Sequence, residues 1–146
     1  MAWGVYPVSA GSQLTAIIGA GGGSESNGGN SAVTYNGVTI LAGNGGGGAR
    51  FGVQGSSAGG TGGAASGGTI ANITGGYGSD GQNAQYQLTG NGAAGPWGGS
   101  GRAGAGGGRD ATSWGAGGGG TYAPLSTTRV PGGSGYQGVV LFRFLP

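Results

Sequence analysis

Residues with strong strand preference are concentrated in three short runs close to the ends of the chain. Residues 13–18 alternate imperfectly into an apolar pair, and 33–40 carries β-branched and aromatic residues on both sides of Asn36-Gly37. Asn-Gly between such arms is typical of a two-residue type I′ hairpin turn. The third run is 139–145. Since no window has helical periodicity with capping residues, we predict essentially no α-helix.

Between these runs, glycine recurs in steps of three. The longest run has glycine at every third position from Gly92 to Gly107, in a chain where 45 of 146 residues are glycine. A period of three belongs to the polyglycine II or polyproline II conformation, which makes no hydrogen bonds within itself. Such a rod needs neighbouring rods to pair its backbone N–H and C=O groups. The pattern therefore predicts a bundle of rods, with 92–107 as the longest.

The predicted fold class is mostly β and irregular. A small antiparallel sheet forms from the chain ends (1–42 and 136–146), and polyglycine II rods joined by loops form 43–135. All 146 residues belong to one glycine-rich domain. Collagen is excluded because the glycine phase changes repeatedly and proline is nearly missing from the repeats.

Composition argues against disorder and against several kinds of chemistry. Val, Ile, Leu and Phe total 22 residues, which is little for an ordinary core, but the net charge is only +2. Disordered chains usually combine low hydrophobicity with high net charge. Cysteine and histidine are absent, which removes disulfides and imidazole catalysis. Five scattered arginines form no basic stripe, so we predict no nucleic-acid partner, and without a long apolar stretch no membrane insertion.

Two motifs that resemble catalytic or nucleotide sites occur by chance. Residues 43–48 match G-x-G-x-x-G, but no helix is predicted to follow and receive a pyrophosphate. Residues 55–59 match G-x-S-x-G, but Ser57 has no histidine or lysine as base. The carboxylates Glu25, Asp80 and Asp110 lie in separate inserts, which makes a glycosidase pair the weaker hypothesis. We predict a protein that is not an enzyme and binds no cofactor or metal.

Several blocks in order resemble the glycine-rich C-terminal domains of bacteriophage tail fibres. Residues 8–22 are similar to the family segment aG-x-x-L-x-v-x-v-G-a-G-G. A Gly/Asn-rich stretch, a strand pair, a glycine run and a final Gly-Gly-Ser-Gly with a hydrophobic strand follow, here at 28–31, 33–41, 42–48 and 132–144. The family has one further strand upstream, which implies that the chain is the C-terminal fragment of a longer fibre.

The resemblance implies a receptor-binding tip that works without chemistry. Distal adhesins of T-even-like phages stack polyglycine II rods, and the loops between rods contact the host. The expected partners are a bacterial outer-membrane protein or surface polysaccharide, the rest of the fibre, and two further copies in a homotrimer. The expected location is the distal tip of the virion's tail fibre, outside the cell. Contact residues are expected in the polar and aromatic inserts: Tyr77, Asp80, Tyr86, Trp114 and Tyr122.

Two alternatives stay open from the sequence. The domain could be a structural trimerisation cap or spacer, with the hydrophobic ends fixing the register of the fibre. It could also be an ice-binding bundle of polyproline II rods. That function asks for a flat face of repeated small residues, whereas the long run offers an uneven set: Ala94, Trp97, Ser100, Ala103 and Gly106.

Overall fold

The computed structural model describes residues 1–49, 55–83, 88–122 and 130–145, and these contain short strands and no helix. This agrees with the predicted fold class. The strands are β1 Ala2–Trp3, β2 Leu14–Ile17, β3 Ser31–Tyr35, β4 Val38–Gly43, β5 Gly55–Ser57, β6 Ala65–Ser66, β7 Ala71–Asn72, β8 Gly81–Asn83, β9 Gly104–Ala105 and β10 Thr121–Tyr122.

The largest sheet is antiparallel and has the strand order β2-β3-β4-β6. Its central hairpin joins β3 to β4 through Asn36 and Gly37, whose φ angles of 48° and 82° are those of a type I′ turn. The predicted hairpin is therefore confirmed. Val33 and Thr34 are consecutive in β3 but pair with Leu41 and Thr39, so Ile40 is the extra residue of a bulge in β4. Val33 is the buried residue of this sheet, with 3% of its surface exposed.

The C-terminal run does not join the sheet, contrary to our expectation. Residues 139–145 contain no strand, and the fourth place in the sheet belongs to β6, whose Ala65 and Ser66 pair with Gly43 and Ala42. The physical reason lies in the hydrogen bonds just before the run. Gly138 donates its N–H to Gly19 across 2.9 Å, where the chain is already a glycine rod rather than a strand.

Most of the remaining described residues form ten extended glycine-rich segments, which we call rods 1 to 10. Hydrogen bonds between them recur in steps of three residues. Gly75 and Gly78 donate to Gly63 and Gly60, each across 2.9 Å. Gly117 and Gly120 donate in the same way to Ala93 and Gly90. This spacing is the one expected of three-residue turns. In chain order the rods are 19–23, 27–30, 44–48, 58–63, 74–79, 90–95, 98–105, 108–112, 115–120 and 132–138.

Eight of the rods form a closed ring. The order around it is 1-2-3-4-5-6-9-10, and rod 10 returns to rod 1. Each neighbouring pair is joined by a backbone N–H···O=C bond of 2.8 to 3.0 Å. The eight bonds are Gly29 to Ala20, Gly28 to Gly46, Gly47 to Thr61, Gly78 to Gly60, Ser79 to Asn91, Gly117 to Ala93, Tyr136 to Ala116, and Gly135 to Gly22.

The glycine run at 92–107 is not one long rod, so that prediction was wrong. Gly95 and Gly98 exchange both backbone hydrogen bonds, at 3.1 and 3.0 Å, and the chain reverses at Pro96-Trp97. Proline at the first corner favours a type I turn, and positive φ at Gly98 and Gly99 carries the chain out of it. A second reversal follows at Gly106, with φ 72°. Rods 7 and 8 therefore lie against rods 6, 9 and 10 as an outer pair.

The bundle has almost no side-chain core. Among the described residues the buried apolar ones are Val33, Ala111 and Ala116. Glycine makes a side-chain core unnecessary here, because it lets the backbones of neighbouring rods pack directly against each other. A Cβ added at Gly62 would lie less than 3.0 Å from the carbonyl oxygen of Gly75, and one at Gly92 equally close to that of Gly117.

This close approach gives a test by paired substitutions. We expect Gly62→Ala to destabilise the fold by about 1–3 kcal/mol or more, since the methyl group forces rods 4 and 5 apart. Gly76→Ala, in rod 5, should be neutral or stabilise by roughly 0.4–1 kcal/mol, because a Cβ there meets nothing within 4 Å and its φ is not positive. Urea unfolding of both variants measures the difference. Equal effects would contradict the rod contacts.

Candidate binding surface

The direction of the rods gives the bundle two different ends. Rods 1, 3 and 5 continue directly from β2, β4 and β7, and their antiparallel neighbours lead back towards the strands. We call the end that carries these strands the sheet end and the opposite one the loop end. Connections between rods alternate between the two ends. The loop end receives the turn 24–26, β5 and β8, the turn 106–107, and β10.

Backbone and side-chain hydrogen bonds tie the loop end together. Ser24 accepts from the N–H of Gly132 at 3.0 Å, across the gap between rods 1 and 10. The Oδ1 atom of Asp80 accepts from the N–H of Gly59 at 2.9 Å, at the start of rod 4. The N–H of Gly106 donates to the carbonyl of Tyr122 at 3.1 Å. These described residues of the loop end are thus tied to the rods or to each other by hydrogen bonds.

Three of the five predicted contact residues lie on or near this end. Asp80 is exposed, at the entry to β8. Tyr122 is half-buried in β10, which runs parallel to β9 with Tyr122 opposite Ala105. Tyr77 lies along rod 5 with 71% of its surface exposed. Tyr86 lies outside the described residues.

The fifth residue, Trp114, lies at the sheet end. It precedes rod 9, and its ring makes an edge-to-face contact with Trp97, with centroids 5.9 Å apart and an interplanar angle of 87°. Both indoles lie at the turns that end rods 6 and 8. Aromatic pairs in this geometry stabilise a fold beyond the area that they bury. We therefore assign Trp114 to packing rather than to the loop-end surface.

The sequence did not indicate some residues that the fold adds to the loop end. Glu25 has φ 60°, a left-handed conformation in the turn between rods 1 and 2. Gln82 and Leu88 form an isolated bridge, and Leu88 is 63% exposed. In the sequence, Glu25, Gln82 and Leu88 share one feature, which is their position between glycine runs. The loop-end surface is here defined as residues 24–26, 80–83, 88, 106–107 and 121–122.

The carboxylates serve the backbone. Asp110 accepts from the N–H of Ser134 at 2.6 Å, which joins rods 8 and 10, as Asp80 joins rods 4 and 5. Within the described part of the chain, no group of three or more carboxylate, imidazole or thiol side chains could hold a metal ion. The same residues include no helix long and apolar enough to cross a membrane.

The sheet end is apolar and exposed. Its large hydrophobic side chains have between 44% and 76% of their surface open to solvent. Arg143 is the charged residue among 139–145. Large contiguous apolar patches are a feature of interaction sites in soluble proteins. We call it the sheet-end surface, and it comprises Trp3, Ile17, Ile18, Ile70, Ile73, Leu141, Phe142, Phe144 and Leu145.

Comparison with known proteins adds no relative to this geometry. No family model matches the chain, and no curated protein and no solved structure matches it either.

The contact between Trp97 and Trp114 can be tested by a double-mutant cycle. We expect each substitution to alanine to destabilise the fold, with a coupling energy of about 0.5–1.5 kcal/mol between the two positions. Thermal unfolding of the two single variants and the double variant measures this coupling. Strictly additive effects would show that the two rings do not interact in solution.

Proposed function

We propose that the chain is the receptor-binding tip of a phage tail fibre. The observation that supports this most directly is the difference between the two ends. The described part of the loop end carries Glu25, Asp80, Gln82 and Tyr122 beside hydrogen-bonded rods. The apolar side chains collect at the sheet end. Such a body can attach to a larger assembly at one end and contact a target at the other.

Binding on this proposal requires no chemistry. Asp80 and Tyr122 already take part in hydrogen bonds within the bundle, which lowers the conformational entropy lost when they bind a target. Tyrosine supplies large contact area, and the polar residues Asp80 and Gln82 supply hydrogen bonds to a sugar or a peptide backbone. The target is a bacterial outer-membrane protein or surface polysaccharide, and the site of action is the distal end of the fibre on the virion. Several copies per particle would add avidity.

The apolar sheet end also favours a second candidate function, that of a trimerisation cap or spacer. On that alternative the sheet-end surface joins copies of the chain, and the loops bind nothing. Removal of 139–145 separates the two. A cap loses its oligomeric mass and has no affinity for bacterial envelopes before or after truncation. A receptor-binding tip binds envelopes through the loop end.

The loop-end assignment predicts which substitutions lower affinity for the host. We expect the combined variant Tyr77→Ala, Asp80→Asn, Tyr86→Ala and Tyr122→Ala to lose at least tenfold in affinity for a binding host's envelope, about 1.4 kcal/mol or more. Asparagine at position 80 keeps an acceptor for Gly59. The measurement is sedimentation of labelled protein with outer-membrane vesicles and purified polysaccharide from a panel of bacteria.

Trp114→Ala is the matched control, since this aromatic residue lies at the opposite end. Its affinity for vesicles should equal that of the unaltered protein when the variant is folded. An unchanged affinity of the combined variant, or an equal loss in both proteins, would rule out the loop end as the contact surface.

A further inference from the structure

The ring of eight rods surrounds a large open space. Its volume is about 1740 Å³, and residues of all eight ring rods line it, whereas rods 7 and 8 contribute none. Interiors of folded domains are close-packed. A space of this size along the axis of a bundle therefore requires an explanation.

The glycines around the space supply the first argument. Seven glycines with described surroundings have room for a Cβ, with no atom within 4 Å. Four of them, Gly11, Gly37, Gly98 and Gly106, have positive φ, which explains the glycine. The other three have no such φ, and all three line the space: Gly23, Gly43 and Gly76.

At these three positions neither a positive φ nor a neighbouring atom of the described structure requires glycine. Glycine raises the entropic cost of folding, by roughly 0.5–1 kcal/mol relative to alanine in a regular element. At many other rod positions, such as Gly62 and Gly92, glycine is explained by a neighbouring backbone that would collide with a Cβ. The same explanation applies at Gly23, Gly43 and Gly76 if another backbone lies against rod 1, the end of β4 and rod 5. Gly76 also leaves its N–H and C=O without a partner in the described structure.

The charged residues lining the space are Glu25 and Arg143, one of each sign among the described residues. Its occupant is therefore uncharged on balance.

We propose that the ring binds one more extended glycine-rich strand, supplied by a separate polypeptide, along its axis. The strand has glycine at every third residue, so that its backbone reaches Gly23 of rod 1, Gly43 at the end of β4 and Gly76 of rod 5. It hydrogen-bonds to backbone groups such as those of Gly76. This inference does not depend on receptor binding at the loop end.

The test is titration of the ¹⁵N-labelled full chain with a synthetic peptide that has the sequence of residues 115–122, Gly-Ala-Gly-Gly-Gly-Gly-Thr-Tyr. We expect saturable shifts of the amide signals of Gly23, Gly43 and Gly76, and slower hydrogen exchange at Gly76. A control peptide with valine at the positions of Gly117 and Gly120 should bind at least tenfold more weakly, because its Cβ atoms prevent close approach.

Variants of the chain locate the site. Gly76→Leu places a side chain in the space and should weaken peptide binding at least tenfold, and Gly43→Ala should do so to a smaller extent. Ser100→Leu, at an exposed position of the outer rod 7 that does not line the space, should leave binding unchanged. The amide spectrum of each variant alone shows whether it is folded.

Three results would overturn the proposal. One is the absence of shifts at millimolar peptide. Another is binding of both peptides with equal affinity, or equal binding by the folded Gly76→Leu variant. The third is the same set of shifts on concentrating the chain without peptide, since the occupant would then be a second copy of this chain.

Discussion

Backbone hydrogen bonding between glycine rods is the interaction on which the rest of this structure depends. A rod in the polyglycine II conformation has no internal hydrogen bonds, so each buried N–H and C=O group needs a partner on another rod. The N–H of Gly78 reaches Gly60, and that of Gly117 reaches Ala93. The rods can approach each other this closely only because glycine places no side chain on the contacting edges. This explains why nearly a third of the residues are glycine.

Because the rods pair through their backbones, the interactions that stabilise this protein differ from those of a domain with a side-chain core. Only Val33, Ala111 and Ala116 are buried apolar residues in the described structure, so burial of apolar side chains contributes little. Each hydrogen bond contributes about 0.5–1.5 kcal/mol net, and the many glycines add an entropic cost on folding. Side chains help where they join rods, as Asp80 and Asp110 do by accepting backbone N–H groups. The two tryptophans hold together two turns at the sheet end.

The sequence predicts the elements whose signals are local. Asn36-Gly37 determines its hairpin because left-handed φ angles are accessible to both residues. The three-residue glycine period predicts rods, since it places the residue without Cβ on one edge.

The reversal at Pro96-Trp97 was missed because a two-residue turn fits within the three-residue spacing and leaves the glycine phase unbroken. The strand preference of 139–145 was overridden because Gly138 pairs with a rod. That Asp80 and Trp114 lie at opposite ends of the bundle follows from the direction of the rods, which no local sequence pattern shows.

Closure of the ring is the central claim, and it depends on the contact between rods 1 and 10. The most direct measurement is scalar coupling across hydrogen bonds in the NMR spectrum of the labelled protein. The structure predicts couplings from the amide nitrogen of Gly135 to the carbonyl carbon of Gly22, and from Gly138 to Gly19. Couplings between rods 4 and 5, such as Gly78 to Gly60, serve as the internal reference. If the reference couplings are present and those between rods 1 and 10 are absent, the rods form an open layer and the ring does not exist.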